Sequence, residues 1–305
     1  MDFTIVTPSF RQLDQLGCCI ASVADQGLCE GGKRSKGESA GRAEALTVEH
    51  IVQDGGTEGF GDFTKKMAQR WPDRPGYQRV MVSEKDEGMY DAINRGLAKA
   101  QGSICGYLNC DEQYLPDTLK RVAEAFRANP DVDLFFGDAL VLDKKGHARC
   151  WRKVLIPLVA HTWTCHFSAF TAAMFFRRKL LEKGIRFDTR YRAAADAAWY
   201  LEARRRGVRI GTLGFVASTF VETGENLGMS PQAKKERERL TQTAPRWMRF
   251  GRGLWRIFHR LRRWVDGSLR PRELDYAVYL SGQIQRMSFH KQRVPGYWPG
   301  RWRLP

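Results

Sequence analysis

A chain of 305 residues with 43% hydrophobic and 28% charged side chains has enough apolar mass for one large α/β domain plus an appendage, and is not a disordered protein. Its formal charge of +16 is unevenly placed: residues 232–305 hold 18 of the 50 Lys and Arg but only 5 of the 34 Asp and Glu. The first 231 residues are therefore nearly neutral, and seven cysteines without a C-x-x-C pair argue against a zinc ribbon and for reduced thiols.

Residues 3–7 are a short apolar strand closed by Pro8 and Ser9. Met1-Asp2 leads straight into it, so no signal peptide is expected. Residues 13–26 have helical spacing, with Leu16, Cys19, Ile20 and Val23 on one face and Gly27 as the stop. Residues 29–46, rich in Gly, Ser, Lys and Glu, suit a surface loop. A second strand at 48–53 ends in Asp54-Gly55-Gly56, and a helix at 62–71 and a third strand at 79–83 follow. Next come a helix at 89–100, a fourth strand at 103–108, a helix at 115–129 and a fifth strand at 133–137. Strands separated by helices predict a mostly parallel sheet flanked by helices, with ligands bound beyond the carboxyl ends of the strands. That rim collects Thr7-Pro8-Ser9, Asp54-Gly55-Gly56, Glu84-Lys85-Asp86 and Asp111-Glu112.

After residue 138 the pattern changes. Residues 139–143 and 147–151 suit a hairpin, 170–176 and 210–215 suit strands, and 178–183 and 196–206 suit helices. Residues 154–176 carry no Asp, Glu, Lys or Arg and are long enough to span a membrane. Pro157 and polar side chains such as His161 and His166 argue instead for a buried loop and strand. A polar linker at 224–232 precedes a charged helix at 233–241.

Asp111-Glu112 directly follows an apolar strand. Adjacent carboxylates repel, and hard oxygen donors attract Mg²⁺ or Mn²⁺, which commonly bridge carboxylates to a substrate diphosphate. A solvated turn would explain the pair equally simply. Asp54-Gly55-Gly56 likewise fits either a plain turn or a contact to a base or ribose. The residues Thr4–Phe10, Glu49–Gly56, Ser83–Gly96 and Leu108–Glu112, in that order, resemble the successive motifs of family 2 glycosyltransferases. The likeness covers roughly residues 3–225. It implies a GT-A fold, a nucleotide-sugar donor and transfer with inversion. It also implies nucleoside or sugar contacts at Pro8, Ser9, Asp54, Asp86, Asp91 and Asn94, a metal at Asp111 and Glu112, and a catalytic base at Asp196, which alanines flank. The chain departs from the family pattern at Glu112, usually Asp, at Cys110, usually Ser, and at Gly56 and Glu58. The expected division is a 1–231 glycosyltransferase domain, with a nucleotide-binding half at 1–115 and an acceptor half at 116–231, followed by a basic extension at 232–305.

Within the extension, Trp247, Phe250, Leu254, Ile257, Phe258, Leu261 and Val265 recur at helical steps, and Arg249, Arg252, Arg256, Arg260 and Arg263 take the other side. This suits an interfacial helix with arginines on anionic headgroups, and it also suits a helix packed on the domain. A glycan or lipid-linked acceptor at the cytoplasmic face of the inner membrane is the expectation that follows. Nucleic acid is not an expected partner, because the basic excess is confined to the tail. The alternatives are a catalytically inactive carbohydrate-binding relative and a nucleic-acid binder using the basic tail.

Overall fold

The structure, a computed structural model, describes residues 1–27, 46–222 and 230–298. Nearly all of the loop at 29–46 and most of the linker at 224–232 lie outside the described residues.

Strand β1 (Phe3–Ser9) is buried throughout and leads into helix α1 (Leu13–Ala24). There follow β2 (Val48–Asp54), α2 (Phe60–Arg70), β3 (Tyr77–Ser83), α3 (Met89–Ala98) and β4 (Ile104–Tyr107). The short β5 (Gln113–Tyr114) precedes α4 (Thr118–Ala128), β6 (Leu134–Leu142) and β7 (Ala148–Arg152). Then come α5 (Val159–Thr164), β8 (Met174–Arg177), α6 (Lys179–Glu182), α7 (Ala195–Arg205) and β9 (Ile210–Val221). The sheet order is β3-β2-β1-β4-β8-β6-β9-β5, with β7 paired to β6. The first four strands are parallel; β8 runs antiparallel to both β4 and β6, and β6 and β9 are parallel again. Strand order reverses between β1 and β4, which puts a crevice at their carboxyl ends.

Apolar side chains fill both faces of the sheet. One cluster joins Val6, Ile93, Tyr107, Phe176 and Trp199, and another joins Phe3, Val23, Leu119, Phe135 and Phe175. Residues 154–176 contain the six-residue α5, a 3-10 turn and β8, with no continuous helix. The strand expected to stop at Gly137 instead continues to Leu142. A Cβ at Gly137 would sit 2.8 Å from the Ala217 Cβ, so glycine here permits close packing on β9 and does not end the strand.

The basic extension docks on this body. It consists of α8 (Pro231–Gln242), α9 (Arg246–Phe250), α10 (Arg252–Val265) and an antiparallel pair, β10 (Arg272–Val278) and β11 (Met287–Val294). The pair packs Tyr276, Val278 and Val294 against Leu140, Leu142 and Trp151. Arg286 grips Asp25 with two nitrogens, at 2.6 and 2.8 Å, and donates to the carbonyls of Tyr114 and Ala277 at 2.9 Å. The amphipathic stretch expected as one helix is divided at Gly251 into α9 and α10. Of the two sides, part of the arginine side faces the body and the apolar side is largely exposed. Arg263 is buried and Arg260 half-buried, while Trp247 is 60%, Phe250 89% and Trp264 70% exposed.

Candidate active site

The carboxyl ends of β1, β2 and β3 are in register, with Ser9 opposite Asp54 and Asp54 opposite Ser83. The turns that follow them, together with the segment after β4, frame a cavity of about 1700 Å³. Pro8, Ser9, Asp86, Asp111, Glu112 and Asp196 all line it.

At one end stands the acid pair. Glu112 is buried and accepts the Asn109 N–H at 2.8 Å, which commits one of its oxygens to its own turn. Asp111 opens onto the cavity. Burial, and then the charge of Asp111, push the Glu112 carboxyl up, and burial pushes Asp111 up as well. Among the described residues, no Lys or Arg nitrogen lies within 4 Å of either carboxylate. The hydroxyl of Ser9 and the side-chain oxygen of Asn109 are also buried at this end without a hydrogen-bond partner. Unsatisfied oxygens around an uncompensated acid pair fit a hard cation, with Asp111 as the open ligand and the free oxygen of Glu112 as the second.

Asp86 sits against the turn after β2. A Cβ on Gly55 would fall 2.9 Å from an Asp86 oxygen, so only glycine allows this approach. Asp86 accepts the Gly88 N–H at 2.9 Å, which shapes the entry to α3. Phe10, half exposed at the rim, lies beside the same turn.

Three expected ligand contacts are engaged elsewhere. Asp54 is fully buried and accepts from Gly56 N–H, Thr57 N–H, the Thr57 hydroxyl and the Ser83 hydroxyl, at 2.6–3.0 Å. Its carboxylate builds the turn and does not face the cavity. Asp91 pairs with Arg95 at 2.7 Å and accepts the Glu87 N–H at 3.0 Å. Asn94 clasps the Phe187 backbone, donating to its carbonyl at 2.8 Å and accepting its N–H at 3.1 Å.

Across the cavity, Asp196 occupies the first turn of α7 and accepts the Ala197 N–H at 2.7 Å. Ala193, Ala194 and Ala197 line the wall beside it, leaving room for a substrate. Burial raises its carboxyl to about 6. The loop before it hangs on Glu236 of α8. The buried Glu236 carboxylate accepts the N–H groups of Arg192, Ala193 and Ala194 at 2.9, 2.8 and 3.1 Å. Burial alone would raise the Glu236 carboxyl; these donors and Gln232 overrule it and hold it below the usual range. Sequence reasoning gave Glu236 no role. Its signal was its place with Ala233 and Leu240 on the buried stripe of an otherwise charged helix.

The model of glycosyl transferase family 2 matches residues 4–184. The chain belongs to that family. The matched segment of this family 2 chain contains the acid pair and ends before Asp196. Over 197 residues the chain is 28% identical to a PGL/p-HBAD biosynthesis glycosyltransferase of Mycobacterium tuberculosis, covering 64% of itself and 66% of that relative. It thus spans just under two thirds of the relative's length. An uncharacterized glycosyltransferase of Nostoc is 26% identical over 154 residues, or 48% of this chain and 47% of the relative. Among solved structures, S. aureus TarS with UDP superposes with a TM-score of 0.54 at 16% identity, over 79% of this chain and 64% of that one. A Pyrobaculum calidifontis mannosyltransferase, solved with GDP-Man and Mn²⁺, gives 0.52 at 17% identity over 83% and 73%. The architecture is that of these GT-A proteins.

Proposed function

We propose that the chain transfers a sugar, with inversion, from a nucleotide-diphosphate donor to a hydroxyl acceptor in glycan assembly. The observation that carries this reading is one cavity bordered by an uncompensated acid pair and by Asp196. Asp111 and Glu112 would hold Mg²⁺ or Mn²⁺, which when bound would supply positive charge to the departing diphosphate. Ser9 and Asp86 border the same end, where donor hydroxyls have acceptors available. Asp196 takes the proton of the acceptor hydroxyl as that oxygen bonds to the anomeric carbon and the bond to the diphosphate breaks. Solved neighbours bound to UDP, UDP-GlcNAc and GDP-Man support a nucleotide-sugar donor for this chain too.

The reading includes a surface role for the extension. No described helix is long and apolar enough to cross a membrane. The exposed side chains of α9 and α10, with an outer row of Leu254, Ile257, Leu261 and Val265, suit a helix lying in the plane of an anionic bilayer. Arg249 and Arg252 stay exposed at its edge for headgroups. A lipid-linked acceptor would reach the cavity from that side.

The test is calorimetric titration of UDP and GDP sugars with and without Mn²⁺. Tight binding is expected only with metal, and Asp111→Asn should weaken it at least tenfold while leaving the circular dichroism spectrum unchanged. Full donor turnover in excess chelator would refute the metal assignment.

A further inference from the structure

The end of the cavity that faces the extension has the opposite electrical character from the end that holds Asp111. Its wall carries Arg152, Arg237, Arg260 and Arg263 together with His166 and His259. Arg260, Arg263 and His259 come from α10, whereas Arg152 closes β7. Arg263 is only 5% exposed, and its guanidinium donates to neutral carbonyls alone: Lys153 and Gly296 at 3.2 Å and Ser268 at 3.5 Å. Among the described residues, neither Arg260 nor Arg263 has a carboxylate oxygen within 4 Å. The carboxylates of Asp266 and Asp138 act on Arg263 only from beyond contact; a buried guanidinium with no counter-ion in contact is costly, and a ligand can supply that contact.

Three imidazoles stand beside these arginines. The rings of His161 and His259 stack at 4.2 Å, and His166 meets His161 edge-on at 4.5 Å. The Nδ1 atoms of His161 and His259 are buried and have no hydrogen-bond partner. One ligating atom from each histidine lies within 4.8 Å of the others, a cluster that a zinc-like ion could draw together. The surroundings oppose that ion. Burial first, then His161 and the arginines Arg152, Arg237 and Arg256, disfavour positive charge at His166, and burial, His161, His166, Arg263 and Arg152 disfavour it at His259. Carboxylates usually support metal-bound histidines, and among the described residues none hydrogen-bonds the three rings, the Nδ1 atoms of His161 and His259 having no partner. The same arrangement favours an anion, because guanidinium and imidazole N–H groups are donors and phosphate oxygens accept several at once.

We propose that this basic end of the cavity binds a phosphate or diphosphate ester belonging to the acceptor, beside the hydroxyl that receives the sugar. The role as an acceptor subsite rests on the glycosyl-transfer reading; the anion binding does not. The ester is amphiphilic. Helix α10 turns Arg260 and Arg263 toward the cavity and Ile257, Leu261 and Trp264 to the outside. An acceptor whose anionic group lies among the arginines can therefore carry its apolar chain out along an apolar surface, without burying charge in lipid.

The experiment uses the full chain in excess chelator, where the acid pair repels diphosphates at the donor end. Inorganic pyrophosphate, farnesyl diphosphate and farnesol are titrated into the wild type and into Arg260→Gln and His259→Gln. Both diphosphates should bind, the farnesyl ester at least tenfold more tightly, and each variant should lose at least tenfold for both. Farnesol should bind far more weakly than its diphosphate. Equal pyrophosphate affinity in wild type and variants would overturn the proposal, and so would stoichiometric zinc binding that His259→Gln abolishes. UDP affinity with Mn²⁺, measured in parallel, separates the two readings. Its absence in the wild type would refute glycosyl transfer and leave the anion subsite standing.

Discussion

Glu236 links the extension to Asp196, and its replacement by Gln is a demanding test of that link. The substitution keeps the shape of the side chain but exchanges one carboxylate oxygen for an amide that faces an N–H. At one oxygen it removes the bonds from Ala193 and Ala194, and at the other the bonds from Arg192 and Gln232. Each hydrogen bond to a charged group contributes about 1.5–3 kcal/mol. Two lost bonds therefore cost about 3 kcal/mol even at the low end of that range. Urea unfolding followed by tryptophan fluorescence should show this loss at pH 7. Because the folded-state carboxyl of Glu236 lies below its usual value, its stabilisation is complete above the unfolded pKa and disappears as pH falls through the folded one. The gap between wild type and variant should therefore close below about pH 4. Loosening the loop should also lower kcat at least tenfold while KM for the donor stays put, since misplacing a catalytic group acts on the chemical step. A variant within about 0.5 kcal/mol of wild type, the usual scatter for a surface site, and with unchanged kcat would refute the argument.

Asp196→Asn should lower turnover about 10²-fold or more with donor affinity intact, and wild-type kcat/KM should rise with pH and level off above about 6, where Asp196 is ionised. Because the folded state raises this carboxyl, the stability of its neutral form is present at low pH and lost as pH rises through about 6; Asp196→Asn should therefore melt higher than wild type at pH 8 and alike at pH 4. Arg286→Ala leaves the half-buried Asp25 with the Tyr279 hydroxyl but no cation, which should cost about 1–3 kcal/mol and make β10 and β11 hypersensitive to protease. Phe250→Ser with Leu254→Ser should release the chain from anionic liposomes by at least about 100-fold, since each fully buried side chain of this kind is worth about 1.5–3 kcal/mol; a wild type that ignores such liposomes would refute the membrane role.

The local grammar of the strand ends was legible because each motif is a short apolar run broken by polar residues. Pro8, Ser9, Asp86, Asp111 and Glu112 were placed on one rim by strand–helix alternation, Asp196 was implied as the base by resemblance, and all six line one cavity. The partners of a polar residue were not legible. Asp54 finds Ser83 from another strand, and Asn94 finds Phe187, 93 residues away. Gly137 was misleading because a glycine that permits close packing and one that turns the chain look alike in sequence. The division of α10 into two faces was readable from spacing, but which face meets the body was not. Spacing favours the apolar face as the buried one, whereas in the fold His259 and Arg263 turn inward and Leu254, Ile257, Leu261 and Trp264 stay exposed. Strands β10 and β11 escaped notice because most of their side chains are exposed, which blurs the alternation.

The docking of α8 on the loop before Asp196 has a consequence for how such proteins diverge. On the proposed reading, a recombination event that kept residues 4–184 and replaced the rest would retain Asp111 and Glu112 yet lose Asp196 itself, its Glu236 clamp and one wall of the cavity. Chimeras joined at that boundary should turn over only if the replacement segment again supplies a strand beside β6 and a carboxylate at the place of Asp196. Seen this way, the matched family segment carries the proposed donor end, and the residues after it complete the sheet through β9 and supply the opposite wall of the cavity.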